Sequence, residues 1–349
     1  MNEHNKTDTT HPFPGPAASR VRPAIDYLRI SITDRCNFRC NYCMPPEGVE
    51  YKDHKEILSY EEILKFAGAA AALGVTRVRV TGGEPLVRKG CTEFIGQLAR
   101  IPGIEDIALT TNGYLLKEHA RELKEARLSR VNISIDSLDS GRFAEITRGG
   151  DLEKALGGLD EALATGLAPV KVNVVMLDGV EDELEAYVSL AREKAVHVRF
   201  IEFMPIGRRV GGLWKFISRE RLFAGLKGFG ELKPADSPGG GGPARYFKFD
   251  GAAGTIGFIS SMSDHFCSSC NRLRLTADGK LRNCLFADDE VDIRPYLNGG
   301  HKEPDDGGQK DSDNGQAKLK QVILDSMNSK KFSRDGADPG CRTMSQIGG

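Results

Sequence analysis

Six of the eight cysteines of this chain form two groups of three that lie near opposite ends of the sequence. The first group has the spacing C-x3-C-x2-C, and the second joins a C-x2-C pair to a later cysteine. A cubic iron–sulfur cluster is normally held by four thiolates, so a triplet leaves one iron free for a ligand that is not protein. We therefore predict two clusters, each with one open iron. The predicted ligands are Cys36, Cys40 and Cys43 for the first cluster, and Cys267, Cys270 and Cys284 for the second.

Two other uses of cysteine compete with clusters. Secreted disulfide scaffolds are short and rich in cysteine, unlike this chain of 349 residues with a mean hydropathy of −0.35. Structural zinc normally has four ligands in paired motifs, and no such fourth ligand accompanies the first triplet. His265 lies beside the second triplet, so zinc remains an alternative there. Cys91 and Cys341 lie far from both triplets, and we interpret them as ordinary reduced thiols.

The composition argues against several functional classes. With 48 basic and 49 acidic residues the net charge is −1, whereas a nucleic-acid-binding protein carries a basic surplus. No apolar run is long enough to span a bilayer, and residues 1–22 lack the apolar core of a signal peptide and predict a disordered lead. We therefore expect a cytoplasmic protein that binds neither nucleic acid nor membrane.

Between residues 27 and 204, short β-branched runs alternate with helical stretches, which is the pattern of βα units around a parallel sheet. A capping box of Ser59 and Glu62 marks the start of the first helix, which runs to Leu73. The predicted strands are 27–33, 77–82, 106–111, 130–136, 170–177 and 197–203, and the later helices are 90–100, 116–126, 151–165 and 181–194.

Several of these strands have one polar face. In YLRISIT, Arg29 and Ser31 alternate with Leu28 and Ile30, and RVRVT, VNISID and VKVNV show the same period of two. An eight-stranded barrel fills its interior with branched apolar side chains, so polar interior faces predict a ligand-holding cavity. An open sheet with one solvated face is the alternative, but helices normally cover both faces of a parallel sheet. Six strands predict an α/β fold, an incomplete (β/α)6 TIM-type barrel over residues 23–207.

After this barrel the pattern changes to short strands. RYFKFD, TIGFIS and the hairpin RLRLTADGKLRNC predict a β-containing extension over 208–298 that carries the second cluster. The Asp-Gly turn at 278–279 returns Cys284 to the rest of its triplet.

Three further segments are rich in glycine or polar residues. PGGGGP at 238–243 predicts a flexible loop. The polar, Gly- and Asp-rich segment 299–316 predicts a disordered insert, and residues 317–349 predict a C-terminal helix and a Gly-Gly tail.

The motifs resemble those of two nested groups of enzymes. The first triplet, with Tyr42 before its third cysteine and TGGEP at 81–85, resembles the radical S-adenosylmethionine enzymes. CSSCNRLRLTADGKLRNC, together with DYLRISITDRCNFRCNYCMP, TTNG, NISIDSL, VKVNVV and FMPIG, resembles the GTP 3′,8-cyclase family of molybdenum cofactor biosynthesis. The resemblance covers residues 22–298 and the last few residues, which end in Gly-Gly as that family does, but not the segment 299–316.

The resemblance implies a lyase that uses two [4Fe–4S] clusters and S-adenosyl-L-methionine. It implies that a 5′-deoxyadenosyl radical takes hydrogen from C3′ of GTP, and that C3′ then bonds to C8 of the guanine. The product is 3′,8-cyclo-7,8-dihydroguanosine 5′-triphosphate. The implied partners are a reducing electron donor and a downstream cyclic pyranopterin monophosphate synthase, and a homodimer is left open.

The resemblance also implies residue roles, with all six triplet cysteines as metal ligands. Gly82 and Gly83 are expected to let the main chain approach the methionine part of the cofactor. Lys171 lies at the start of its strand, the opposite end from usual barrel sites. The implied S-adenosylmethionine contacts are Tyr42, Gly83, Ser134 and Met204; the implied GTP contacts are Arg29, Arg79, Thr110, Lys171, Arg272, Leu273 and Arg274, of which Arg272 and Arg274 are also expected to be catalytic.

Two other functions share parts of this pattern. A peptide-modifying radical enzyme would share the N-terminal half, but it is expected to have more C-terminal cysteines and no cations for a triphosphate. A non-catalytic iron–sulfur carrier or zinc module has no use for TGGEP or for a polar barrel interior.

Overall fold

In this computed structural model, a single twelve-stranded sheet organises the chain. The structure describes residue 13 and residues 22–207, 217–297, 310–333 and 342–348, so nearly all of the lead predicted over 1–22 lies outside the described residues. The strands are β1 (Tyr27–Ser31), β2 (Arg77–Thr81), β3 (Asp106–Thr111), β4 (Arg130–Ser134), β5 (Val170–Val175), β6 (Val196–Ile201), β7 (Leu232–Ala235), β8 (Arg245–Phe249), β9 (Thr255–Ile259), β10 (Arg272–Leu275), β11 (Lys280–Arg282) and β12 (Glu290–Asp292).

The strand order is β12-β11-β10-β1-β2-β3-β4-β5-β6-β9-β8-β7. The six strands predicted from the sequence form its middle, and each end lies within two residues of the prediction. The extension is not a separate β unit, because β10 pairs in parallel with β1 and β9 pairs in parallel with β6. An incomplete barrel exposes unpaired main-chain groups at its two edges, and the extension supplies their partners.

Helices cover the outer face of this sheet and form the core with it. Leu28 and Ile30 of β1 are fully buried, as are Ile63 and Phe66 of the first helix, and all four belong to one hydrophobic cluster. None of the described helices is long and apolar enough to cross a membrane. The helices are α1 (Tyr60–Ala71), α2 (Cys91–Leu98), α3 (Leu116–Glu125), α4 (Ser140–Thr147), α5 (Leu152–Ala164), α6 (Leu184–Glu193), α7 (Arg219–Leu226), α8 (Arg294–Leu297), α9 (Lys310–Ser329) and α10 (Met344–Ile347).

The helices α4 and α7 were not predicted from the sequence, although both have N-cap residues. Asp139 accepts a hydrogen bond from the Arg142 amide at the start of α4, at 2.7 Å. Ser218 accepts one from the Arg221 amide at the start of α7, at 3.3 Å. Each helix has only eight residues, too short for a clear 3.6-residue apolar pattern, so the caps were the available signal.

The prediction of a disordered insert over 299–316 is wrong for its last part. Residues 310–316 form the first turns of α9, while 299–309 lie outside the described residues. A polar segment can extend a helix whose later turns are packed, and Leu319 and Ile323 of α9 are buried in the core.

The capping box predicted at the start of α1 is present. Ser59 Oγ accepts a hydrogen bond from the Glu62 amide at 3.2 Å, and Glu62 Oε2 accepts one from the Ser59 amide at 2.8 Å. Two amides that the helix itself cannot pair are thereby satisfied.

We expect Ser59→Ala to lower the free energy of unfolding by about 1 kcal/mol, because it removes an N-cap acceptor. The same change at Ser189, inside α6, should be close to neutral because alanine has the higher helix propensity. Chemical denaturation of both variants measures the difference, and equal effects would contradict the role of the cap.

Candidate functional site

One cavity lies inside the partial barrel that the curved sheet forms, and cysteines of both triplets line it. Its volume is about 320 Å³, within the range of small-molecule sites. Its lining includes residues from strands β1 to β6 and β10, from the glycine-rich loop 238–243 and from α10. Those of functional interest are Tyr27, Arg29, Cys36, Cys40, Tyr42, Cys43, Arg79, Gly83, Thr110, Ser134, Asp136, Asn173, Arg199, Met204, Gly241, Gly242, Cys267, Cys270, Arg272, Arg274, Cys284 and Ser345.

The two triplets lie at opposite ends of this cavity. Strand β1 leads into Cys36 at its carboxyl end, whereas Cys270 precedes the parallel neighbour β10 at its amino end. Antiparallel pairing of β11 with β10 returns Cys284 to that same amino end, as the sequence predicted. One five-residue strand separates the ends, which corresponds to a distance of about 17 Å.

The cysteines of the first triplet are partly buried, and the charged side chains outside the triplet that most affect their thiols are the acidic Glu84 and Asp136. The Phe38 amide donates a hydrogen bond to Cys36 Sγ at 3.4 Å. Burial raises the pKa of the Cys36 thiol to about 12 and that of Cys43 to about 11. These thiols are therefore protonated at neutral pH unless a metal displaces the protons.

The second triplet has the opposite electrostatic surroundings. Burial alone would raise the pKa of the Cys270 thiol, but the positive charges of Arg272 and Lys330 lower it to about 7. The Phe286 amide donates a hydrogen bond to Cys284 Sγ at 3.5 Å. This end of the cavity favours anionic sulfur without any metal present.

The donor atoms of both triplets fit iron–sulfur clusters. Thiolates are the usual cluster ligands, and each triplet has an amide-to-sulfur hydrogen bond of the kind that tunes such clusters. For the zinc alternative, His265 Nδ1 lies 2.9 Å from the carbonyl oxygen of Ser261. Within the described ranges, no three His, Cys, Asp or Glu side chains are grouped closely enough for one metal ion. Cluster thiolates bind different irons and need a wider spacing than that.

The four residues that resemblance assigned to S-adenosylmethionine line the cavity with the first triplet. Tyr42 Oη donates a hydrogen bond to Asp136 Oδ2 at 2.6 Å, and the Val175 amide donates to Asp136 Oδ1 at 2.8 Å. Asp136 thus fixes the ring of Tyr42. The sequence placed Asp136 on a polar strand face without assigning it a role.

The glycine pair of TGGEP meets a packing requirement in addition to its expected role beside the cofactor. A Cβ on Gly83 would lie 2.3 Å from the carbonyl oxygen of Arg35, and one on Gly82 would lie 2.8 Å from that of Thr33. The Gly83 amide donates to the Thr33 carbonyl oxygen at 2.7 Å. Glycine is therefore required where the end of β2 packs against the loop that carries the first triplet.

Five of the residues assigned to GTP line the cavity: Arg29, Arg79, Thr110, Arg272 and Arg274. Strand register aligns Arg29 with Arg79 on one side and with Arg274 on the other. Burial, followed by repulsion from Arg274 and Arg79, holds the pKa of Arg29 well below its usual value. Among the described residues, Arg79 Nε and Thr110 Oγ1 have no hydrogen-bond partner. Crowded, incompletely bonded cations inside a protein favour an anionic ligand.

Arg199 is a further buried cation of this cavity that the sequence analysis did not single out. Its guanidinium donates to the side-chain oxygens of Asn132 at 2.7 Å and Asn173 at 2.5 Å, and its Nε has no partner among the described residues. Both acceptors are neutral, so they leave its charge uncompensated. The alternation of His197, Arg199 and Ile201 in β6 was the available signal.

Two of the assigned residues do not line the cavity. Leu273 is fully buried in the hydrophobic core, as expected from its alternation with Arg272 and Arg274. Lys171 Nζ donates to the Gly239 carbonyl oxygen at 2.5 Å, and burial followed by neighbouring arginines lowers its pKa to about 7. Gly239 belongs to the glycine loop, residues 238–243, whose Gly241 and Gly242 are exposed and line the cavity.

The C-terminal segment 342–348 enters the cavity from the side of β10. The carbonyl oxygen of Gly348 accepts a hydrogen bond from Arg274 at 3.1 Å. Arg342 anchors the segment through Asp278, at 2.9 Å, and Glu290, at 2.8 Å. Sequence patterns have no means of revealing this placement, because short terminal segments carry little periodicity.

His197 lies near several buried or partly buried cations, and its burial predicts that the stability of the fold depends on pH. Its Nδ1 lies 2.9 Å from Thr255 Oγ1. Burial, then the charges of Lys171, Arg199 and Lys248, lower its pKa from 6.5 to about 4. The unfolded chain therefore binds a proton that the folded chain does not, and stability is lost as pH falls from about 6.5 towards 4.

Between pH 7 and pH 5, the free energy of unfolding should fall less in His197→Gln than in the unmodified chain. We expect the two decreases to differ by about 1 kcal/mol, a figure already reduced for solvent screening. His54→Gln, at an exposed position, should show the unmodified dependence. Denaturant titrations at the two pH values give the comparison. If His197→Gln showed the same change in free energy of unfolding as the unmodified chain, burial of His197 would not be the cause of the pH dependence.

Two family models match the chain in succession. The Radical SAM superfamily matches residues 30–191, and Molybdenum Cofactor Synthesis C matches residues 196–334. The first therefore covers most of the six-stranded core, and the second covers the extension with the second triplet.

Curated relatives match nearly the whole chain. The GTP 3′,8-cyclase of Thermodesulfovibrio yellowstonii is 47% identical over 328 residues, which is 93% of this chain and 98% of the relative. That of Alkaliphilus oremlandii is also 47% identical, with the same coverage, and that of Pelotomaculum thermopropionicum is 52% identical over 79% of this chain and 86% of its own.

Among solved structures, Streptococcus suis SuiB bound to S-adenosylmethionine superposes with a TM-score of 0.57 at 14% identity. The match covers 80% of this chain and 66% of SuiB, just under two thirds of that longer protein. At this identity the likeness concerns the fold alone.

Proposed function

Because the chain belongs to the GTP 3′,8-cyclase family of the radical S-adenosylmethionine superfamily, we propose that it converts GTP to 3′,8-cyclo-7,8-dihydroguanosine 5′-triphosphate. This reaction is the first step of molybdenum cofactor biosynthesis. The observation that carries the proposal is the single cavity with a cysteine triplet at each end and buried arginines between them. A nucleoside triphosphate matches those cations in charge.

At the carboxyl end of the strands, the first triplet would hold a [4Fe–4S] cluster together with S-adenosylmethionine. Bound there, the pair supplies the one-electron chemistry and the hydrogen-abstracting radical. The protein contributes position and exclusion of water. Tyr42, held by Asp136, contacts the cofactor in this proposal, as do the other cavity-lining residues Gly83, Ser134 and Met204.

Between the triplets, the arginines would bind the phosphates of GTP. Arg29 and Arg79 are adjacent in register, and a guanidinium can bind phosphate oxygens with two parallel hydrogen bonds. Arg199 adds a third positive charge, and Thr110 adds a hydroxyl that has no partner among the described residues. Lys171 would join them only after the glycine loop releases its ammonium group.

At the amino end, Cys267, Cys270 and Cys284 would hold a second cluster, which would supply a coordination site for the guanine. Arg272 and Arg274 flank it and are the candidate catalytic residues, placed to assist reduction of the cyclised nucleotide radical. The Arg272 guanidinium stacks on the ring of Phe266 at 5.0 Å, and Arg274 is oriented by the carbonyl oxygen of Gly348. Leu273 contributes only its main chain, since its side chain is in the core.

The reaction needs partners outside this chain. A reducing electron donor must supply electrons to the clusters, and an enzyme such as a cyclic pyranopterin monophosphate synthase must consume the cyclised nucleotide. Oxygen-sensitive clusters and free thiols favour the reducing cytoplasm as the site of action.

The decisive assay uses the full chain, reconstituted anaerobically with iron and sulfide, reduced, and given S-adenosylmethionine with or without GTP. We expect 5′-deoxyadenosine and a cyclised nucleotide to form together, as measured by mass spectrometry. Cys36→Ala should abolish both products. Cys270→Ala should retain 5′-deoxyadenosine but lose the nucleotide product, because the first triplet is intact.

Other outcomes of this assay would redirect the assignment. If the yield of 5′-deoxyadenosine were the same with and without GTP, the substrate would be a peptide or another small molecule. No cleavage by protein shown to hold two clusters would contradict the enzymatic proposal altogether.

We expect Arg199→Met to reduce kcat/KM for GTP by roughly 10- to 100-fold, since a hydrogen bond to a charged group contributes about 1.5–3 kcal/mol. The loss should appear mainly in KM for GTP. Arg100→Met, at an exposed position, removes the same charge without entering the cavity and serves as control. Equal GTP kinetics in both variants would exclude Arg199 from the phosphate site.

A further inference from the structure

Lys330 is a buried lysine that the proposed reaction does not use. It follows the end of α9, and only 4% of it is exposed. Its ammonium group donates one hydrogen bond to the carbonyl oxygen of Arg272 at 3.0 Å and another to the carbonyl oxygen of Asn283. A lysine is rarely buried without a specific partner, so these contacts require an explanation.

The two carbonyl groups belong to the base of the hairpin that carries the second triplet. Arg272 lies two residues after Cys270, and Asn283 directly precedes Cys284. The side chain of Asn283 also donates to Ser329 Oγ at 3.1 Å. The end of α9 therefore fastens together the two chain segments that supply separate ligands of one cluster.

In the described part of the chain, the charge of Lys330 meets neutral groups and no carboxylate. Among the described residues it forms no ion pair, and its two partners are neutral carbonyl groups. The neighbouring Arg282 differs, because it pairs with Glu290. An uncompensated buried cation is unfavourable, and three thiolates with their cluster would supply the missing negative charge.

The charged side chains that most affect the first triplet are acidic, whereas those at the second triplet are basic. After burial, Glu84 is the largest charged influence on Cys36, and Asp136 is the largest on Cys40. At the second triplet, Arg272 and Lys330 are the main charged influences on Cys270. The potential of an iron–sulfur cluster follows local charge and hydrogen bonding, so the two ends of the cavity should differ in how easily they accept an electron.

We propose that Lys330 is a positioning residue of the second cluster: its ammonium group holds the two cysteine-bearing ends of the hairpin together, and its charge makes that cluster easier to reduce. The inference rests on the proposed function only in requiring that the second triplet binds a cluster.

The test is a redox titration of the anaerobically reconstituted full chain, followed by electron paramagnetic resonance. Lys330→Met removes the charge and the hydrogen bonds at similar size, and Lys330→Arg keeps the charge. Lys331→Met is the matched control, because the adjacent Lys331 is exposed. Chain with alanine at Cys36, Cys40 and Cys43 assigns the second signal.

We expect the midpoint potential of the second cluster to fall in Lys330→Met and to stay near the original value in Lys330→Arg and Lys331→Met. The first cluster should not change, which separates this effect from general loss of stability. If Lys330→Met loses the second cluster, Lys330→Arg must retain it.

Three results would overturn the proposal: unchanged potentials in Lys330→Met, an equal shift of both clusters, or loss of the second cluster in both Lys330 variants. The readout does not involve GTP. A protein that shows the expected shift but forms no cyclised nucleotide would contradict the proposed function and leave the role of Lys330 supported.

Discussion

Strand β1 pairs in parallel with β2 on one side and with β10 on the other, and this pairing places the two cysteine triplets relative to each other. The first triplet follows β1, and the second flanks β10 at the opposite end. The same pairing sets Arg29 beside Arg79 and Arg274 in one row across the interior. A chain segment more than two hundred residues away thus completes a site that the N-terminal strands begin, and neither half contains the cavity alone.

Without a bound anion, burial of the arginines in this interior costs free energy. Arg79, Arg199 and Arg274 are each at least nine-tenths buried, and cations so placed lose most of their hydration. Main-chain oxygens relieve part of the cost, as when Gly348 accepts from Arg274 and Gly239 accepts from Lys171. These neutral acceptors are weaker partners for a cation than a phosphate is, so binding energy is stored for an anionic ligand.

The sequence predicted those parts of the molecule that depend on local spacing. The cysteine triplets, the polar faces of β1, β2 and β4 and the Ser59–Glu62 cap are all short-range patterns. Long-range placement was not predictable: nothing local shows that β9 and β10 join opposite edges of one sheet, or that segment 342–348 enters the interior. Sites in barrels usually lie at the carboxyl ends of the strands, whereas Lys171 lies at the amino end of β5. The second triplet also lies at the amino ends of the strands, so Lys171 is at the same end as that triplet. Arg199 was within reach of the same period of two but was overlooked.

The glycine loop at 238–243 borders the cavity through Gly241, Gly242 and Pro243, and part of it faces solvent. The carbonyl oxygens of Gly239 and Gly240 accept hydrogen bonds from Lys171 and Arg130, and the loop itself contains neither a cysteine nor an arginine. This makes the loop a natural place to attach a spectroscopic label. A reporter group there would sense arrival of a nucleotide from outside the reacting centre, and would allow binding to be timed separately from radical chemistry.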